Sequence, residues 1–228
     1  MTTVAPGPSP GIVALTAVVA LALVLAPGAW ARTRHVVTIA HEGAHGVAAL
    51  LAGRRLAGIR LHSDTSGLAV SKGRSSGPGM VATAAAGYVG PALLGLAAAA
   101  LLSHGYAVGV LWALLLLLVM LLLQIRNFFG LWSVLVAGTL LFAVTWWASA
   151  EVQLVAAYVV TWFLLLAAPR PIVELQEQRR RGRGRGSDAD LLARLTRVPG
   201  LVWVGVFLVV TVGCLVLGGS LLVPRGVL

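Results

Sequence analysis

His41-Glu42-Gly43-Ala44-His45 has the residue types and the spacing for metal chemistry: an H-E-x-x-H run inside the apolar helical stretch 38–54 of a 228-residue chain. On a helix, positions i and i+4 share one face, so His41 and His45 can direct two imidazoles at one cation. Glu42 stands about 100° further round, where it can flank the cation and take a proton from its bound water. Two histidines and a glutamate are costly in an apolar helix unless something satisfies them, and a metal ion would do so. The plainer accounts are a chance match, or a histidine pair bonded to backbone carbonyls of neighbouring helices. A catalytic zinc takes three protein ligands and keeps one position for water. Asp64 lies in the turn-forming segment 63–67, where aspartate commonly serves the backbone. Asp188 follows Ser187, and either residue could cap a helix over 189–196; spacing alone favours the cap over a ligand. Asp190 is a further alternative, and Glu151 falls on the far side of the topology described below.

The elements that position these groups belong to a membrane protein. Apolar residues make up 59% of the chain and charged residues 11%, and the mean hydropathy is +0.94. A soluble globular domain does not have this composition; an all-α polytopic membrane protein does. The apolar stretches 11–30, 34–53, 80–103, 106–125, 128–148, 152–168 and 199–222 predict about seven transmembrane helices. Residues 56–72 read as two short strands joined at 63–67, a β-hairpin directly after the H-E-x-x-H helix. Gly87, Gly90 and Gly95 would let another backbone approach the helix over 80–103, and Pro91 would kink it. Ala29-Trp30-Ala31 resembles a signal-cleavage site, but no Lys or Arg precedes it, and the first helix reads as retained. The chain divides into an N-terminal transmembrane extension (1–30), a membrane core (31–168), a basic loop (169–198) and a C-terminal transmembrane segment (199–228).

The net charge of +10 is not a nucleic-acid signal. Lys and Arg gather at 54–74, at Arg126 and at 170–197, as they do when loops are sorted across a bilayer. The positive-inside rule makes these loops and the N-terminus cytoplasmic and leaves Arg32, Arg34 and Arg225 outside. A multi-pass protein of a cell membrane follows, and the Ala, Val, Leu, Gly and Arg bias suggests a bacterial one. The run RRRGRGRG at 179–186 reads as a solvated loop that fixes topology, and no nucleic-acid partner is expected. Pro224-Arg225-Gly226 reads as native tail. The lone Cys214 excludes an intrachain disulfide.

H-E-x-x-H within a membrane helix, then a short hairpin, then Ala86-Gly87-Tyr88-Val89-Gly90-Pro91, resembles the M50 intramembrane metalloproteases of the site-2-protease type. Ser187-Asp188-Ala189 followed by Leu192-Ala193 resembles their M50B-like branch, and the similarity covers about residues 30–205. The resemblance implies a Zn2+ ion held by His41, His45 and a carboxylate, with Glu42 as general base. It also implies cleavage of a membrane-embedded protein substrate within the lipid bilayer. The N-x-x-P-x-x-x-L-D-G motif that supplies the third ligand in typical members is absent; Arg126-Asn127-Phe128-Phe129-Gly130 is similar only to its start. The branch resemblance puts Asp188 in that role, with Asp190 and Asp64 as alternatives. Asn127 reads either as a donor to substrate or oxyanion or as the cap of the helix over 128–148. The hairpin offers an edge for an unwound substrate strand. The rival reading is a catalytically inactive membrane scaffold, or a helix-binding protein that uses the glycine face of 80–103.

Overall fold

Prolines open four of the nine helices among the described residues of this computed structural model, which describes residues 8–182 and 186–223. The tail before residue 8, the centre of the arginine–glycine run and Pro224-Arg225-Gly226 lie outside the described residues. Proline sits in the first turn of α1 (Pro10–Leu25), α2 (Pro27–Leu51), α3 (Pro78–Ser103) and α7 (Pro169–Arg180). There its missing N–H costs nothing and its fixed φ suits the helix. The remaining helices are α4 (Ala107–Leu122), α5 (Phe128–Trp147), α6 (Ala150–Ala167), α8 (Asp188–Thr196) and α9 (Gly200–Leu222). The expected hairpin is present between α2 and α3, as β1 (Arg55–Leu61) and β2 (Gly67–Lys72), paired antiparallel.

The protein is mostly helical, and four helical stretches are long and apolar enough to cross a membrane: α3, α5, the 31-residue run Ala150–Arg180 formed by α6 and α7, and α9. A fifth is reached if α1 and α2 count as one broken span. The sequence reading had seven. With 16 residues, α4 covers about 24 Å, so it crosses a hydrocarbon core of about 30 Å only with local thinning or help from its flanking residues.

The expected break at Arg32–Arg34 also moves. The chain turns by 99° between α1 and α2, at Ala26. The following proline holds Ala26 extended (φ −71°, ψ 119°), as pre-proline residues prefer. Arg32 and Arg34 stay helical. Arg34 Nη2 pairs with Glu174 Oε2 at 3.2 Å, Trp30 Nε1 donates to Glu174 Oε1 at 2.9 Å, and Arg170 lies 4.5 Å from the Trp30 ring. Arg34 therefore shares a level with residues 170–174, from which the sequence expectation separated it by a membrane span. α1 packs along α6, and the first turns of α2 that follow it are held against α7 by Trp30 and Arg34.

Small residues set the central contact. α2 and α3 pack antiparallel. A Cβ on Gly87 would fall on the His41 and His45 rings, and one on Gly90 would fall on the Ala44 side chain. Gly95 faces Leu165 of α6 instead. α3 runs unbroken through Pro91. Apolar surfaces such as Leu116, Leu140, Val209 and Val216 are exposed around the outside, as helices in a bilayer require.

Candidate metal centre

α2 carries His41 and His45 one turn apart, and their Nε2 atoms stand 3.1 Å from each other. Asp188 Oδ2 lies 3.3 Å from each of them. These three residues form a group able to hold one metal ion. Two ligands bound at about 2.05 Å in a tetrahedron stand about 3.3 Å apart, so the three atoms already mark one face of a tetrahedral site. Two imidazoles and a carboxylate suit a zinc-type ion that keeps one open position. His45 Nδ1 lies 2.7 Å from the Thr83 carbonyl oxygen. Donation there selects the tautomer whose Nε2 lone pair points at the other two ligand atoms.

Asp188 arrives from the last quarter of the chain because α8 is short and amphipathic. Ala189 and Leu192 are buried in a cluster with Ala84, Ile172, Leu175, Val204 and Phe207. The cap and the ligand position fall on different residues. Ser187 is the N-cap and its side chain accepts from the Asp190 N–H, which leaves the Asp188 carboxylate free to reach the histidines. Burial pushes the Asp188 carboxyl up, but when the two imidazoles are protonated their hydrogen bonds and charge outweigh it and hold the group below the usual carboxylate range.

The other candidates lie elsewhere. Asp190 faces away and takes Arg179 as its ion-pair partner. Partial burial raises its carboxyl, yet the bonds from Arg179 and Ser187 bring it below the ordinary value. Asp64 serves its turn, accepting from the Ser66 N–H at 3.0 Å and the Ser66 hydroxyl at 2.6 Å. Glu151 is in the first turn of α6 and belongs neither to the histidine group nor to the lining of the cavity beside it. Glu42 is 5% exposed and forms no ion pair among the described residues. It faces β2 so closely that a Cβ on Gly67 would come within 2.5 Å of its carboxylate.

A cavity of about 330 Å³ opens beside this group, lined by His41, Glu42, Tyr88 and the hairpin turn, with Arg34 and Glu174 on its far wall. Tyr88 meets the His41 ring edge-on at 4.9 Å and stacks on Phe207 at 5.1 Å. Asn127 neither caps α5 with its side chain nor faces the cavity. Its side chain exchanges two hydrogen bonds with the Leu61 backbone, at 3.1 and 2.6 Å. Beside it, Ile59 N–H donates to Gln124 O (2.8 Å) and Arg126 N–H to Ile59 O (2.9 Å), so 124–126 covers the outer edge of β1. Sequence reasoning missed this clamp, the Thr83 acceptor and the Glu174 hub. A backbone acceptor leaves no mark in a sequence, and Glu174 stands among other charged residues.

Neither the curated proteins nor the solved structures searched contain a match to this chain. A family model described as Peptidase M50B-like matches residues 14–218, beginning inside α1 and ending inside α9. With that match covering the H-E-x-x-H helix, the hairpin, the glycine-rich α3 and Asp188, the chain belongs to the Peptidase M50B-like family.

Proposed function

We propose that this protein is a zinc-dependent endopeptidase that cuts a peptide bond in or beside a membrane-spanning segment of a protein substrate. The observation that carries the reading is the triangle of His41 Nε2, His45 Nε2 and Asp188 Oδ2, with sides of 3.1, 3.3 and 3.3 Å. Zinc bound by these atoms would supply a Lewis acid and a water acidified toward a pKa of about 7. Glu42, buried and free of an ion pair among the described residues, is placed to serve as the general base: its carboxylate would hold the proton of the attacking water and pass it to the leaving amine. The histidines stand about 9 and 15 Å from the C-terminal end of α2, counting 1.5 Å per residue.

The substrate is held by backbone pairing. Ile59 turns its N–H and C=O toward 124–126, so its partner Ala69 and the next-but-one Gly67 turn theirs outward from β2. Glu42 lies against the Gly67 face of β2 and both line the cavity, so an unwound substrate strand adding to that edge would run beside the catalytic carboxylate. The ends of the elements bearing 54–74, Arg126 and 170–197 gather on one side, which the positive-inside rule makes cytoplasmic. On this arrangement the bent α1–α2 pair crosses once and the start of α1 faces outward, a revision of the cytoplasmic N-terminus read from sequence.

Zinc-loaded protein in proteoliposomes, supplied with a panel of labelled membrane-spanning peptides, tests the activity. The wild type yields fragments, and Glu42→Gln keeps its zinc while cleavage falls by about 10²–10⁴-fold. Cleavage by Glu42→Gln at the wild-type rate would remove Glu42 from the mechanism. Bound zinc with no fragment from any peptide would favour a scaffold.

A further inference from the structure

The outward face of the hairpin carries a second cavity, of about 260 Å³, that the metal centre does not use. Ala57, Gly58, Arg60, Leu68, Val70 and Arg126 line it. The register accounts for this lining: Gly58 pairs with Val70 and Arg60 with Leu68, so these positions share the outer face, while Ile59 and Leu61 point into the core. A bulge between Leu56 and Gly58 sets the strand off its regular pleat. Gly58 has a φ of +144°, and the stem of Arg126 occupies the space a Cβ would take. Nη1 of Arg126 donates to the carbonyls of Leu123 (2.9 Å) and Ile125 (3.0 Å), which fixes the guanidinium at the rim.

Two guanidiniums thus flank a hollow with no carboxylate in its lining. The arginine ion pairs among the described residues belong to Arg34, Arg170, Arg179 and Arg181, and Arg60 and Arg126 take no part in them. The surroundings are apolar and open: Leu123 is 62% exposed and Phe128 83%. On a membrane protein such a surface is covered by acyl chains.

We propose that this cavity binds the phosphate of an anionic phospholipid headgroup, with Arg60 and Arg126 as its donors and Leu68, Val70, Leu123 and Phe128 against its chains. Guanidinium forks match phosphate oxygens, and the apolar rim accounts for a lipid rather than a soluble anion. Because 124–126 is paired to β1, the lipid bears on the strand whose partner, β2, lies against Glu42. The site does not depend on zinc or on catalysis.

Delipidated full-length protein in neutral detergent, titrated with phosphatidylglycerol, phosphatidylcholine or inorganic phosphate and read by native mass spectrometry, tests this. Phosphatidylglycerol is retained in preference to phosphatidylcholine, and excess inorganic phosphate does not displace it. At about 1 kcal/mol per arginine, Arg60→Gln weakens retention about fivefold, and the double variant with Arg126→Gln about 30-fold. Arg60 is exposed, so its single variant decides the matter even if the double variant fails to fold. Equal retention of the two lipids, unchanged retention in Arg60→Gln, or displacement by phosphate alone would overturn the assignment.

Discussion

Asp190 accepts from Arg179, from the Ser187 hydroxyl at 3.1 Å and from the Gly186 N–H at 3.0 Å. These bonds tie the first turn of α8 to the end of α7, two residues from the Asp188 carboxylate. Asp190 is thus a positioning residue. Asp190→Ala weakens zinc binding by about 10–100-fold, the usual cost of losing an outer support of a ligand. A chelator-competition titration checks this, and Asp190→Glu should recover part of the loss. Unchanged affinity in Asp190→Ala would mean that packing of Ala189 and Leu192 alone seats α8. The pair His41 and His45 was legible in the sequence because helical spacing is a local property. The division of labour between Ser187 and Asp188 was not. Both residues suit an N-cap, and only the packed position of α8 decides which side chain is left over.

At the scale of elements, the glycines of α3 let α2 approach until two imidazoles share a site. Gly87→Ala places a methyl group on both rings. Overpacking of this kind costs about 1–3 kcal/mol, and the ligand geometry suffers with it. The variant should unfold at lower temperature and lose zinc, whereas Gly138→Ala in α5, with open space at its Cβ position, should do neither. Equal zinc content in Gly87→Ala and wild type would contradict the close α2–α3 contact. The close-approach role of Gly87 and Gly90 was readable from the small-residue pattern. Which helix each glycine meets was not, since Gly95 in the same stripe meets α6. The hairpin was readable from its turn residues, but the third segment that covers β1 is joined by backbone bonds and one asparagine, which leave no period to detect.

At the scale of the molecule, the Trp30–Glu174–Arg34–Arg170 cluster holds the α1–α2 elbow against α7. Seven apolar segments were visible in the sequence, yet hydropathy counts stretches and is blind to a 99° turn inside one of them. On the proposed arrangement, residue 10 and the start of α6 lie toward one face and the basic loops toward the other. In a Cys214→Ser background, Ser9→Cys and Ser149→Cys should react with a membrane-impermeant maleimide in right-side-out vesicles. Ser75→Cys should react only after permeabilisation. Protection of Ser9→Cys together with labelling of Ser149→Cys would mean that α1 and α2 cross separately.

The zinc content of the purified, detergent-solubilised protein tests the central claim most directly, measured beside His41→Ala and Asp188→Ala. The triangle of ligand atoms predicts about one zinc per wild-type chain, none in His41→Ala and weakened binding in Asp188→Ala. A wild type that holds no zinc after reconstitution, or an Asp188→Ala variant that binds it as tightly as the wild type, would contradict the metal centre drawn from α2 and α8.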